Sequence, residues 1–368
     1  MTLPLAELLS DLTPRGLLIP KQAPAKPLNG FEIQGGGHPI PDEASLQAGE
    51  KALQMMQDLD KNDLLICLIS GGGSALMSAP HPGVSVSDLR ELTSALLACG
   101  ACVEEINTLR RHLDRLKGGG LARQAFPARV VSLILSDVIN NPLEVIASGP
   151  TAPDPTTRTD ALRVLDKYHL REIVPASILQ ALRNATETAK PGNGLFAHVR
   201  NVLVGSNLLA TKAALEQAKS EGFQTHLLGN DWQGEARDVA QELCNHLKHS
   251  PLPRPFCLVA GGETTVTLRG QGCGGRNQEL ALAAVQELAG LPDVLLITLA
   301  TDGEDGPTDA AGAVVSGDTL QYGQALGISV QACLDDNDSY GYFSALGDLL
   351  KPGPSGTNVN DLMFCFGM

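Results

Sequence analysis

Several features that mark other protein classes are missing from this 368-residue chain. It has no apolar run long enough to span a bilayer, and its start lacks the basic region and cleavage site of a secretory signal. Aromatic residues make up only 4% of the chain, so aliphatic residues and alanine must form most of the core. Acidic residues outnumber basic ones, and the net charge of −14 argues against a nucleic-acid partner.

Several sequence motifs of catalysis are missing as well. No lysine follows a glycine-rich loop as it does in a P-loop, and there is no G-x-S-x-G elbow. The eight histidines form no metal-ligand cluster, and the eight cysteines are scattered, mostly in apolar runs. We therefore expect reduced cysteines, a cytoplasmic location and no membrane partner.

What is present is an alternation of short apolar runs with longer amphipathic ones, which predicts an α/β fold with crossover connections. The proline-rich stretch SPLPRPF (250–256) predicts a linker, and FCLVAGGETTVTLRG after it indicates two strands around a turn, hence a mixed sheet. The strand predictions are 63–70, 128–136, 201–206, 225–229, 256–262, 264–270, 294–301 and 361–366. The main helix predictions are 45–59, 87–98, 207–222, 232–249 and 277–290.

Two runs of three glycines could bind an anion. In LISGGGSALMSAP (68–80) a predicted strand leads through glycines into a helix start, the geometry in which free backbone N–H groups cradle a phosphate. A tight structural turn explains the same residues equally well. In LKGGGLA (116–122), Lys117 could add a cation beside a second cradle, although glycines after an amphipathic helix more often end that helix.

Polar residues at the ends of other predicted strands are further candidates. Asp137 directly follows the strand LILS, and ligands of open α/β sheets bind beyond the carboxyl ends of strands. Asp302 begins an acidic turn, ATDGEDGPTDAAG (300–312), that either binds Mg²⁺ or is simply solvated.

The stretch LRGQGCGGRNQEL (268–280) supports two interpretations. Its glycines at 270, 272 and 275 match the G-x-G-x-x-G spacing of dinucleotide-binding loops, so a nicotinamide enzyme stays open. Arg276 and Asn277 at the following helix start instead suggest a guanidinium that meets an anion through two hydrogen bonds.

Taken in order, the motifs resemble those of the class II glycerate kinases, also called the MOFRL family, whose bacterial members are often labelled hydroxypyruvate reductases. The resemblance covers nearly all of residues 1–366. It is carried by GGGHPIPDEAS, LISGGGSALMSAP, EEINTLRRHLDRLKGGGLA, LILSDVINNPLEVIASGPTAPDPTT, VLVGSN, GGETTVTLRGQGCGGRNQELALA, ATDGEDGPTDAAGAVV, NDSYGYFSALGDLL and GTNVNDLMF.

The resemblance implies an ATP-dependent kinase that uses Mg²⁺ to phosphorylate D-glycerate, usually to 2-phosphoglycerate and less often to 3-phosphoglycerate. It implies a three-layer Rossmann-like domain with a parallel sheet over residues 1–250. A smaller C-terminal α/β MOFRL domain with a mixed sheet would follow over residues 256–366, with the site in the cleft between the domains. Whether the chain forms a homodimer stays open.

The resemblance also implies roles for particular residues. The nucleotide or phosphate contacts are Ser70, Gly71, Gly72, Gly73 and Ser74, to which the glycine-run argument adds Lys117. Asp137 is the site carboxylate and Arg276 the catalytic cation. Glu263, Asn277 and Asp302 are substrate or metal contacts, and no metal ligand is assigned.

Two departures from the family pattern matter. Family members begin with a strand that ends in Gly-Lys-Ala, whose lysine is considered catalytic, and Met1 falls just after that motif. We therefore expect a shortened, catalytically impaired chain, because phosphoryl transfer depends on positioned positive charge. Asn140 stands where the family usually has glycine, and asparagine tolerates a positive φ better than most residues.

The alternatives to the glycerate kinase function are an NAD(P)H-dependent hydroxypyruvate reductase and an inactive nucleotide-binding remnant.

Overall fold

The computed structural model describes residues 1–12, 14–21 and 28–368. The chain divides into two compact units, the first made of Met1–Leu135 and Asn141–Val204, the second of Ser136–Asn140 and Gly205–Met368. The boundary expected at 250–256 lies inside the second unit. The reason is that the strand before it, Gln224–Glu235, pairs with the strand after it, Phe256–Thr265.

The strands follow the alternation that the sequence predicts. They are β1 Gly16–Leu18, β2 Phe31–Ile33, β3 Leu64–Ile69, β4 Arg129–Leu135, β5 Val199–Gly205, β6 Gln224–Glu235, β7 Phe256–Thr265, β8 Val294–Ala300, β9 Gly312–Ser316, β10 Leu349–Leu350 and β11 Asp361–Gly367.

The helices are mostly amphipathic, and many begin at a side-chain cap. They are α1 Thr2–Leu8, α2 Glu43–Met56, α3 Gly73–Leu76, α4 Val86–Ala98, α5 Val103–Leu113, α6 Gly120–Ala125, α7 Arg158–Lys167, α8 Ala176–Asn184, α9 Asn207–Ser220, α10 Ala236–Lys248, α11 Arg276–Leu288, α12 Thr319–Ala325, α13 Val330–Asp336 and α14 Ser339–Leu346. Short 3₁₀ turns lie at Ser10–Leu12, Ile146–Ser148 and Gly194–His198. No helix in the described part of the chain is long and apolar enough to cross a membrane.

The first unit is built on a small parallel sheet. Its strand order is β3–β4–β5, with β3 and β4 parallel, and a separate parallel pair joins β1 to β2. Helices α4, α5, α7 and α8 bury a second, all-helical core in which Leu109 and Ile178 are fully enclosed. Because β3 and β4 are parallel, their carboxyl ends lie at one edge, where the first glycine run follows β3.

The second unit is built on a six-stranded mixed sheet with the order β10–β9–β8–β11–β7–β6. Strand β11 lies between β7 and β8 and runs antiparallel to both, whereas β6 and β7 are parallel. Residues 256–262 are buried throughout because helices and neighbouring strands cover β7. The predicted α/β class, with a parallel sheet and a mixed sheet, is confirmed.

Three details of the predicted elements are wrong. Residues 264–270 form no second strand after a turn, because β7 runs straight on to Thr265 and the chain then leaves the sheet. Residues 232–235 belong to β6 and not to the next helix. Strand β9, over the residues GAVVS, was missed because five residues with one glycine give little pattern.

Candidate active site

The second unit gathers acidic side chains at one edge of its sheet. Because β11 is antiparallel to both neighbours, its first residue, Asp361, lies beside Gly262 of β7 and Ala300 of β8, near the carboxyl ends of those strands. Glu263 is the next residue along β7, and Asp302 follows β8 by two residues. The sheet therefore brings together Glu263 and Asp302, which the sequence predicted, with Asp361, which it did not.

Arg276 is held by two of these carboxylates. Its Nε donates to Asp361 Oδ2 at 2.6 Å and its Nη2 to Asp361 Oδ1 at 3.1 Å, which makes a two-pronged contact. Its Nη1 donates to Glu263 Oε1 at 3.0 Å. The Arg276 side chain is 30% exposed, so solvent or a ligand can reach the guanidinium.

Negative charge exceeds positive charge at this edge. Burial raises the pKa of Glu263, and the charges of Asp361 and Asp137 raise it further, against the lowering effect of Arg276. Burial also raises the pKa of Asp361, with a further contribution from Asp302. Burial alone would lower the pKa of Arg276, but its hydrogen bonds and attraction to Asp361 raise it overall. Asp137 thus lies within electrostatic reach of Glu263, and its catalytic role stays a prediction.

Asn277 and Gln278 support the start of α11. Their backbone N–H groups donate to Asp305 at 3.2 and 2.9 Å, so a buried carboxylate already caps this helix. The side chain of Asn277 also donates to Asp305, and only 1% of the residue is exposed. In this structure the side chain of Asn277 is engaged by Asp305, and contact between Asn277 and a substrate stays a prediction.

The sequence reasoning missed Asp305 and Asp361 as parts of this arrangement. A sequence pattern that could have pointed to Asp361 was present, because this carboxylate directly precedes the apolar run LMFCF. Asp137 was found from the converse pattern, a carboxylate that directly follows the apolar strand LILS. Asp305 was seen only as one acid of a crowded turn. Its capping of a helix 27 to 28 residues earlier could not be read from local spacing.

In the first unit, the loop Ser70–Ser74 has the predicted order of strand, glycines and helix. Strand β3 ends at Ile69, Gly72 has a φ of +81°, and α3 begins at Gly73. Helix α3 is only one turn long. Binding of phosphate by Ser70, Gly71, Gly72, Gly73 and Ser74 stays a prediction.

A strained turn underlies this loop. Ala147 and Ser148 have φ values of +50° and +61°, a region that side chains other than glycine rarely adopt. Ser148 is fully buried, and its Oγ lies 2.8 Å from that of Ser74. A Cβ added at Gly73 would lie 3.0 Å from that of Ala147. Strain of this kind concentrates at functional sites, which makes the loop a stronger candidate than its sequence alone.

Lys117 lies in a different setting from the one suggested for it. Helix α5 ends at Leu113, and the Lys117 ammonium is buried between the carboxylate of Asp114 and the carbonyl of Met77. The glycines that follow pack the chain, since the N–H groups of Gly118 and Gly119 donate to backbone carbonyls. A phosphate contact for Lys117 stays a prediction, and its charge is already compensated here.

The first part of the G-x-G-x-x-G stretch, up to Cys273, has its backbone donors occupied. The N–H groups of Arg269 and Gly270 both donate to Asn337 Oδ1. Those of Gln271 and Cys273 donate to the carboxylates of Asp336 and Asp338, and that of Gly272 donates to the backbone carbonyl of Asp336. A dinucleotide fingerprint needs these donors free to approach a pyrophosphate. This loop is instead built around acidic side chains of the protein.

One sequence expectation about a loop can be checked. Asn140, which stands where the resemblance expects glycine, has a φ of +62°, so the expectation that asparagine tolerates this turn is confirmed. Among the described residues, no three His, Cys, Asp or Glu side chains are arranged to hold a metal ion by themselves.

Comparison with known proteins bears directly on this arrangement. A model for a domain of unknown function, DUF4147, matches residues 1–183, and the MOFRL family model matches residues 256–361. The D-glycerate 2-kinase of Thermotoga maritima is 42% identical over 97% of this chain and 85% of its own length. The glycerate kinase of Homo sapiens is 40% identical over 91% of this chain and 73% of its own length.

One further relative and one solved structure are also similar to this chain. A putative hydroxypyruvate reductase of Agrobacterium vitis is 40% identical over 96% of this chain and 81% of its own length. The crystal structure of glycerate kinase from Thermotoga maritima superimposes with a TM-score of 0.94 at 41% identity, covering 99% of this chain and 87% of that one. The similarity therefore extends through both units.

Proposed function

This chain belongs to the glycerate kinase family and is a kinase, and we propose that it transfers the γ-phosphoryl group of ATP to D-glycerate. The product we favour is 2-phosphoglycerate, because the relatives from Thermotoga maritima and Pyrococcus horikoshii are named 2-kinases. Phosphorylation at the 3-hydroxyl is the second candidate. The expected site of action is the cytoplasm.

The observation that carries the proposal is the position and partial exposure of the Arg276 guanidinium. Phosphoryl transfer is catalysed mainly by positioning and by neutralising charge on the transferred group. Arg276 is a part-exposed guanidinium whose plane is fixed by Asp361. A fixed guanidinium with donors to spare suits a phosphoryl or carboxylate oxygen.

The other predicted residues take roles that fit their surroundings. In our proposal, Ser70–Ser74 hold phosphate oxygens of the nucleotide through backbone N–H groups and the hydroxyl of Ser74. Asp137, catalytic in the prediction, orients the glycerate hydroxyl or accepts its proton. Glu263 and Asp302 contact the substrate or its metal.

Mg²⁺ would suit the acidic edge of the second unit. Kinases hold this ion mostly through phosphates and water, with one or two carboxylates from the protein. Asp137 and Glu263 are close enough to influence each other electrostatically and offer the oxygen ligands that Mg²⁺ prefers. When bound, the ion would reduce the negative charge of the phosphates.

The reductase alternative is disfavoured by the loop that suggested it. The N–H groups of residues 269–273 already donate to Asp336, Asn337 and Asp338. A pyrophosphate would have to displace two carboxylates to reach them.

The test is an incubation with D-glycerate, ATP and Mg²⁺ followed by ³¹P NMR, beside one with hydroxypyruvate and NADH or NADPH. We expect ADP and 2-phosphoglycerate in the first and no nicotinamide oxidation in the second. Oxidation of NAD(P)H without use of ATP would overturn the kinase proposal, as would ATP binding without any turnover.

A further inference from the structure

We propose that Asp361 is a positioning residue that fixes the guanidinium plane of Arg276 so that its remaining N–H groups meet the anionic ligand. The inference rests on the proposed function, in which Arg276 is the catalytic cation. Its structural part concerns the second unit alone.

The hydrogen bonds define what each carboxylate does. A guanidinium has five N–H donors. Asp361 takes the donor on Nε and one on Nη2, and Glu263 takes one on Nη1. Within the described part of the chain, this leaves one donor on each Nη. Two bonds to one rigid carboxylate fix both the position and the rotation of the guanidinium, whereas the single bond from Glu263 fixes neither.

Burial separates the two carboxylates further. The side chain of Asp361 is 3% exposed, and that of Glu263 is 42% exposed. An exposed partner exchanges readily with water or a ligand, because exposed ion pairs contribute little to stability. Asp361 therefore acts as the fixed partner of Arg276, and Glu263 as the one that an arriving anion can replace.

Asp361 is itself held firmly. It begins β11, which is paired on both sides, and its backbone carbonyl accepts from Asn207 Nδ2 at 2.9 Å. Asn207 Nδ2 also donates to the carbonyl of Val359 at 2.9 Å. A Cβ at Gly261 would lie 1.8 Å from Asn207 Oδ1, so only glycine leaves room for this clamp. Gly261 thus leaves room for Asn207, and Asn207 holds the backbone of Asp361. The carboxylate of Asp361 in turn holds Arg276.

The first measurement needs no variant. Exchange of the Arg276 Nε–H with solvent is followed by ¹⁵N NMR in the wild-type protein and compared with that of Arg163, whose side chain is 73% exposed. We expect the Arg276 Nε–H to exchange at least about tenfold more slowly, because Asp361 must open before water can enter. Equal exchange rates would overturn the positioning role outright.

The second measurement uses Asp361→Asn, which keeps the shape and removes the charge. We expect faster Nε–H exchange, a fall in kcat of about 10²-fold, and a KM for ATP changed less than twofold. Asp348→Asn is the matched control, because Asp348 is another carboxylate of this unit whose pKa burial raises. The control should leave both the Nε–H exchange and kcat unchanged.

The outcomes separate the two proposals. Wild-type protein with a protected Nε–H but no phosphoglycerate would refute the proposed function and leave the positioning intact. A folded Asp361→Asn variant with wild-type kcat would refute the positioning role while the kinase stands. If Asp361→Asn does not fold, the wild-type exchange comparison still decides.

Discussion

Asp114 in the first unit and Asp361 in the second are both buried, yet their pKa values shift in opposite directions. Burial raises the pKa of Asp114, but Lys117 and several donors lower it overall. Those donors include the hydroxyl of Ser78 at 2.8 Å and two backbone N–H groups. Burial raises the pKa of Asp361, and Arg276 does not fully offset it.

The difference shows that burial does not by itself set the state of a carboxylate. Asp114 is surrounded by donors and one cation, so its charge is locally balanced. Asp361 shares one guanidinium with Glu263 and lies in the negative field of Asp302. Removing one partner of a balanced buried pair destabilises the fold. Groups whose pKa values are raised by burial and by neighbouring charges are, in contrast, concentrated at functional sites.

The largest expected effect comes from breaking the balanced pair with Lys117→Met. Asp114 would be left buried without its cation, which typically costs about 3–5 kcal/mol of unfolding free energy. We expect this loss in denaturant unfolding, with the KM for ATP unchanged in the folded fraction.

The double variant Asp114→Asn, Lys117→Met is the control, and it should recover much of the stability because no buried charge remains. A raised KM for ATP at full stability would instead support the phosphate-binding role that the sequence suggested for Lys117.

The next effect tests the unbalanced side through Arg276→Lys. The charge is kept, but the two-pronged contact with Asp361 cannot form, because an ammonium lacks the planar fork. We expect kcat for phosphoryl transfer to fall by about 10²–10³-fold. Arg237→Lys provides a matched comparison, since Arg237 also pairs with a buried glutamate, Glu279, and should keep its kcat. Equal losses in both variants would show that the effect is only structural.

A smaller effect is expected at the glycine loop of the first unit. Gly72→Ala places a side chain at a φ of +81°, with its Cβ 2.9 Å from the ring of His38. The left-handed conformation costs about 1–2 kcal/mol, and the contact displaces the loop. We expect a raised KM for ATP and little change in the KM for glycerate. Gly83→Ala shares the positive φ but meets open space, so it should lower stability without changing either KM.

The sequence predicted the parts of this comparison that depend on local pattern. Strand ends followed by polar residues made Asp137 and Asp302 candidates, and the glycine run after β3 was placed correctly between strand and helix. The alternation of apolar and amphipathic runs predicted the α/β class. These features depend on neighbours within a few residues, which a single sequence displays.

What could not be predicted depends on pairing across long stretches of chain. Asp361 contacts Arg276 across 85 positions, and Asp305 caps a helix whose start precedes it by 29 residues. The same holds for the G-x-G-x-x-G loop, whose spacing suggested a dinucleotide site. In the structure, the N–H groups of residues 269–273 donate to residues 336–338, which are distant in sequence. Spacing can identify a loop able to bind an anion. Only the fold shows whether that anion is a ligand or a carboxylate of the protein itself.

The smallest expected effect concerns acid stability, and its sign should reverse between the units. Burial raises the pKa of Glu187, but the N–H of Arg158 and the ammonium of Lys190 lower it overall to about 2. Glu187 therefore stabilises the fold at neutral pH and loses that contribution as the pH falls from about 4.5 towards 2. Glu263 has a raised pKa, so its ionised form costs stability at neutral pH, and that cost disappears on acidification.

Glu187→Gln should thus lower the unfolding free energy at pH 7 and Glu263→Gln should raise it, each by no more than about 1 kcal/mol. Both differences from wild type should shrink in acid, as measured by denaturant unfolding across pH. Shifts of the same sign would mean that the two units do not differ in charge balance as the hydrogen bonds indicate.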